Sequence, residues 1–300
     1  MGGVPGRRVV IEVWLLAAVD VLLALITYLR LPARELYHVS GTGIVGGLSR
    51  ALVETNFPAA LIAIAVLLAV APKPRWLAIA SGVLCLVVAV PGVVDQNDLD
   101  AKPVNAVVAA GVVLALVLSL RADVPDAHRA GPRRIALAVA LALLCAEWIA
   151  AAVGFYLDGV PLLGWVFQTG RRITGHGAVH PAVHHGIHHG WQGMLLIFTV
   201  LLLTRLPIWP WVTPLYALLV AYGLGNIVND GFEEQIVERG WAHADFPSVL
   251  QPAANWGWGA VLVAAVVIWA VWLRRTPDRD ARSRGGRRGS APMITPRTPR

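Results

Sequence analysis

Residues 9–29 read VVIEVWLLAAVDVLLALITYL, a run in which only Glu12 and Asp20 carry charge. A helix rises about 1.5 Å per residue, so roughly 20 apolar residues cross the ~30 Å hydrocarbon layer of a bilayer. Seven further stretches share this character: 51–71, 76–94, 104–120, 135–157, 191–206, 211–228 and 256–273. Pro91 should kink or end the third segment, and the fourth is short. Trp76, Trp191, Trp209, Trp211, Trp256 and Trp272 cluster at segment ends, where an amphipathic ring prefers the headgroup region. Composition agrees, with 57% hydrophobic and 14% charged residues and a mean hydropathy of +0.64. The reading is an all-α polytopic integral membrane bundle of about eight transmembrane helices. Residues 1–273 form one bundle, and the expected location is the cell membrane.

Eight crossings put both termini on one side. The first apolar run follows Arg7 and Arg8 but continues without a small-residue cleavage site, so it reads as a retained helix rather than a signal peptide. From residue 274 to 300 the chain holds nine arginines and two aspartates among Pro, Gly and Ser. That segment is too polar to bury a core and is expected to be a disordered, basic, cytoplasmic tail. Its excess of arginine over aspartate equals the net charge of +7 for the whole protein. The pI near 10.1 therefore records topology and contact with anionic lipid. No nucleic-acid partner is expected, because the tail lacks aromatics for base stacking. Cys85 and Cys145 sit inside apolar runs, which excludes a disulfide framework and a Cys-rich metal site.

The densest local signal is GHGAVHPAVHHGIHHGWQG, residues 175–193, which contains six of the nine histidines. Pro181 suits the first turn of a helix, and one continuous helix from there into the sixth segment is expected. On it His184, His185, His188, His189 and Gln192 share a face of about 140°, while Gly186, Gly190 and Gly193 form a small-residue strip for close helix packing. Imidazole is a common metal ligand, so His180, His184, His185, His188 and His189 are candidate ligands for a divalent metal, iron before zinc or copper. The end of the seventh segment adds Asn226, Asn229, Asp230, Glu233 and Glu234 on one face. The tight link LTRLPIWPW, residues 203–211, makes segments six and seven antiparallel neighbours, so Asp230 and Glu233 can complete the coordination.

Deeper carboxylates are costly, by about 2.5–3.5 kcal/mol each on insertion scales, and normally face a bundle interior. Asp20 and Glu147 are the candidate catalytic or proton-relaying groups. Glu54 and His38 lie nearer the interface. His38 belongs to YHVSGTGIVGGLSRALVETNFP, residues 37–58, read as a connection able to cover the site.

The spacings HxxxH (His176 to His180), HxxxHH (His180 to His185) and HxxHH (His185 to His189) resemble the histidine boxes of membrane fatty-acid desaturases and hydroxylases. Here they overlap within one short run, whereas that family disperses them. EEQIVER, residues 233–239, is similar to the EExxxR motif of intramembrane CAAX-type proteases with one residue added. Zinc hydrolases of the ceramidase and adiponectin-receptor type also use HxxxH. The resemblance implies a metal-dependent membrane enzyme acting on a lipid or other hydrophobic small molecule, by non-haem iron oxidation or otherwise zinc hydrolysis. The alternative is a divalent-metal binding or transport protein with a His-rich exoplasmic capture site, and a third reading is a membrane scaffold whose histidines sense pH.

Overall fold

The computed structural model describes residues 4–36, 38–90, 98–155, 160–162, 172–175, 178–181, 189–237, 239–243, 249 and 254–273. Among them the helices are α1 (Gly6–Arg30), α2 (Ala33–Leu36), α3 (Gly43–Val70), α4 (Arg75–Leu86), α5 (Pro103–Arg121), α6 (Pro132–Leu144), α7 (Ala146–Ala152), α8 (His189–Leu203), α9 (Thr213–Phe232) and α10 (Trp256–Val271). Strands β1 (Arg172–Gly175) and β2 (Ala178–Pro181) pair antiparallel, with Ile173 opposite His180. A 3-10 turn, Val87–Ala89, prolongs α4, and a π-helical turn, Glu233–Val237, prolongs α9. The C-terminal tail from 274 onward lies outside the described residues.

Among the described residues each of the eight apolar segments contains a helix or, for the fifth, a helix pair. Four helical stretches are long and apolar enough to cross a membrane: Gly6–Arg30, Gly43–Val70, Pro103–Arg121 and Pro210–Val237. The pair α6 and α7 meets the same test together, bent by 49°. Arg75–Ala89, His189–Leu203 and Trp256–Val271 are apolar but shorter.

Three expectations are corrected. The fifth segment is not one straight helix, because Cys145 leaves helical geometry at φ −98° and ψ 6°. Neither proline nor glycine stands there; the bend turns α7 inward, where it buries Glu147, Trp148, Ala151 and Ala152, while α6 buries Leu141 alone. Residues 43–58 are helical rather than a loop, so α3 begins two turns earlier than its apolar run and carries Glu54 inside the bundle. Pro181 does not open a helix but ends β2; residues 182–188 lie outside the described residues, and α8 is described from His189 onward. Sequence period alone cannot separate a helix from a strand over so short a His-rich stretch.

The helix ends gather in two groups. At one, here called the basic end, Val4 bridges Ala127, the His128 amide donates to the Arg205 carbonyl, and Trp269 Nε1 donates to Thr213 Oγ1 at 3.0 Å. Arg205 Nη1 also donates to Glu12 Oε2 at 3.0 Å. At the other, the acidic end, Thr27 and Arg30 donate to the carbonyls of Ala152 and Ala151. Here too the Leu99 amide donates to the His38 carbonyl, and Val39, Val53 and Leu99 pack together. The 38–42 connection is thus fastened to the approach to α5. Asp100 accepts from the Ser40 amide at 2.9 Å. Hydrogen bonds from Ser40, through hydroxyl and amide, with Ser49 and Gly41 assisting, hold its carboxyl below the usual carboxylate range.

The helix α8 forms the centre of the bundle, packed against α9, α1, α3 and α6, with buried residues on every side. Gly193 and Gly223 let α8 and α9 come together, since a Cβ on either would strike the other's carbonyl oxygen. A Cβ on Gly190 would lie 2.6 Å from the Trp148 indole of α7. Gly190 and Gly193 therefore serve close packing as expected, but against two helices, while Gly186 lies outside the described residues.

Candidate functional site

The site is built around the first turn of α8, where three consecutive residues each meet a buried carboxylate from a different helix. The Gly190 amide donates to Asp230 Oδ2 of α9. Trp191 Nε1 donates to Asp20 Oδ1 of α1 at 2.8 Å. Gln192 Nε2 donates to Glu54 Oε1 of α3 at 2.8 Å and to the Glu54 carbonyl at 3.0 Å. Successive helix residues point about 100° apart, so the three carboxylates collar the helix rather than converge on one point. Among the described residues no group of three or more His, Cys, Asp or Glu side chains is placed to hold a metal ion.

Electrostatics explains the collar. The first turn of a helix presents unsatisfied N–H groups and the positive end of its macrodipole, which favours anions by up to about 2 kcal/mol in partly buried settings. At the opposite end of α8, Arg134 Nη1 donates to the Leu201 carbonyl at 3.3 Å and Arg205 follows the last turn. A helix enclosed on all sides cannot rely on water to solvate its ends. The Asp230 carboxylate at one end and the Arg134 guanidinium at the other bond its backbone directly.

Glu54 also pairs with Arg50 at 2.5 Å, and this i, i+4 pair is buried on both sides. The Arg50 guanidinium lies 4.8 Å from the centroid of the Tyr28 ring. Glu147 is fully buried in the first turn of α7, next to the Trp148 that covers Gly190. One turn before Asp230, Asn226 donates from Nδ2 to its own helix at the Tyr222 carbonyl. Its Oδ1 is buried without a hydrogen-bond donor among the described residues.

Asp20 and Glu147 are buried, as expected for carboxylates within apolar runs, and Asp230, expected at the end of the seventh segment, is buried as well. Asp230 and His189 are brought to the same helix start, with His189 half-buried as the first residue of α8. Glu233 is half-buried where α9 passes into its π turn. His180 lies in β2. His184, His185 and His188 lie outside the described residues, as do Glu238, Asp245 and the side chain of Glu234.

Three members escape a reading by composition. Trp191 looks like a headgroup anchor but is 4% exposed and bonded to Asp20, whereas Trp209, Trp211 and Trp256 are about 60% exposed. Gln192 belongs to the predicted histidine face but turns to α3. Arg50 sits in what reads as a loop, and its i, i+4 spacing to Glu54 was the available signal.

No family model, curated protein or solved structure matches this chain.

Proposed function

We propose that the protein is a multi-pass cell-membrane protein that binds a cation, with the histidine run capturing a divalent metal at one mouth and the carboxylate collar behind it. The supporting observation is a gathering of buried carboxylates at one end of the bundle. At the acidic end Asp20, Glu54, Glu147 and Asp230 are buried, and Arg50 is the buried cation beside them among the described residues. Carboxylates at bilayer depth are costly to keep ionised, and protons or bound cations offset that cost. The free acceptor of Asn226, one turn from Asp230, fits the same need. In this reading His180, His184, His185, His188 and His189, with Asp230 and Glu233, hold the metal, while Asp20 and Glu147 carry protons or the ion onward. One oxygen of Asp230 caps α8. Iron is preferred to zinc or copper for a mixed imidazole and carboxylate set.

Purified protein should retain metal in near-stoichiometric amount, and His184→Ala with His188→Ala should remove it; metal content independent of these residues sinks the proposal. Transport then predicts ion flux into proteoliposomes that Asp20→Asn and Glu147→Gln reduce. A second reading, favoured by the three histidine-box spacings, is a metal-dependent oxidoreductase or hydrolase acting on a lipid or other hydrophobic small molecule. It predicts altered host lipids on deletion and no flux. Eight crossings with both termini cytoplasmic complete the proposal, supported by the α1 start and the α10 end lying toward the same, basic end of the bundle.

A further inference from the structure

The helix α6 stands apart from the rest of the bundle. It faces inward through one stripe, Arg134, Ala138, Leu141 and Cys145, and its main helix neighbours are α7 and α8. Its remaining surface is bare and apolar, with Ile135, Leu137, Val139 and Leu143 between 44% and 61% exposed. At the foot of that flank, on the basic end, arginines accumulate. Arg133 and Arg134 occupy the first turn of α6, where the helix dipole disfavours cations, and exposed Arg129 precedes them. Arg134 lies within electrostatic reach of Arg205. The nearby acids do not balance them: Glu12 is engaged by Arg8 and Arg205, and Asp123 and Asp126 are exposed on the loop.

Exposed arginines below an apolar helix flank that no helix among the described residues covers match a ligand with an anionic head and hydrocarbon chains. We propose that this surface docks one anionic phospholipid, its phosphate held by Arg129 and Arg133 and its chains laid along the outer face of α6. Basic recesses at helix feet are suited to such headgroups. The inference depends on the bundle lying in a membrane and is independent of cation binding at the acidic end.

Native mass spectrometry of the full-length protein, released from micelles containing equal phosphatidylglycerol and phosphatidylcholine, tests it. The expected result is preferential retention of one phosphatidylglycerol, weakened about fivefold for each arginine removed. Arg129→Gln with Arg133→Gln alters exposed side chains and leaves the Arg134 bond to Leu201 intact, so folding is preserved. The control, Lys73→Gln with Arg75→Gln, removes equal charge from the α3–α4 turn and should retain the lipid. Equal loss in both variants, equal retention in both, or no preference over phosphatidylcholine overturns the proposal. A dimer that forms in place of the lipid adduct also overturns it, since a second copy would then cover α6.

Discussion

At the scale of single residues, the acidic end is held by hydrogen bonds whose acceptors are carboxylates, and these are roughly twice as strong as neutral ones. The Arg50–Glu54 pair shows what such burial entails. Glu54→Gln would leave the Arg50 guanidinium buried without its counter-charge, at a cost of about 3–5 kcal/mol. Replacing both by Met and Leu should cost far less. Thermal unfolding in detergent checks this, and a double variant as unstable as the single one would contradict it. Gly193 is sensitive for a different reason. Gly193→Val places side-chain atoms against the Gly223 carbonyl and must push α8 from α9, so expression and melting temperature should fall sharply, while Gly131→Val, facing open space, should change them little. Sequence disclosed that Asp20 and Glu147 matter, because a carboxylate inside an apolar run is conspicuous. It did not disclose that Trp191 meets Asp20 or that Gln192 meets Glu54, since both are ordinary residues until the helices meet.

At the scale of elements, α8 owes its position to charges carried by others. Its own first turn contains no acid, and its last turn no base. Asp230, Asp20 and Glu54 come from three helices, and Arg134 from a fourth. The helix was legible as an apolar run, but its start was not, because the run of histidines fits either a helix or a strand and the structure places part of it in β2. The connection from His38 to Thr42 offers a pH-dependent element outside the membrane-spanning helices. The Asp100 carboxyl is held below its usual range mainly by Ser40. Its stabilising contribution is complete above an ordinary carboxylate pKa of about 4, declines as pH falls, and is gone beneath the depressed folded value. Amide exchange at Ser40 and Gly41, corrected for intrinsic rates, should rise between about pH 6 and pH 3, and Asp100→Asn should abolish the dependence. Unchanged protection across that range would refute the fastening role.

At the scale of the whole molecule, the bundle is polarised. Arg8, Arg134 and Arg205 belong to the end where α1 begins and α10 finishes, while the buried carboxylates lie toward the other. An excess of arginine retained on one side of a membrane predicts that side to be cytoplasmic. A cysteine placed at Gly177 should therefore react with an impermeant reagent in intact cells, and one at Ser290 should not, with buried Cys85 and Cys145 silent in both. Protection at Gly177 would reverse the orientation. The sequence by itself determined that this chain is a bundle of apolar helices with a few retained carboxylates, because a long run of apolar side chains satisfies its backbone in hydrocarbon only as a helix. Only the tertiary structure decided that those carboxylates surround a single helix start, because which residues face one another across helices depends on packing contacts distant in the chain.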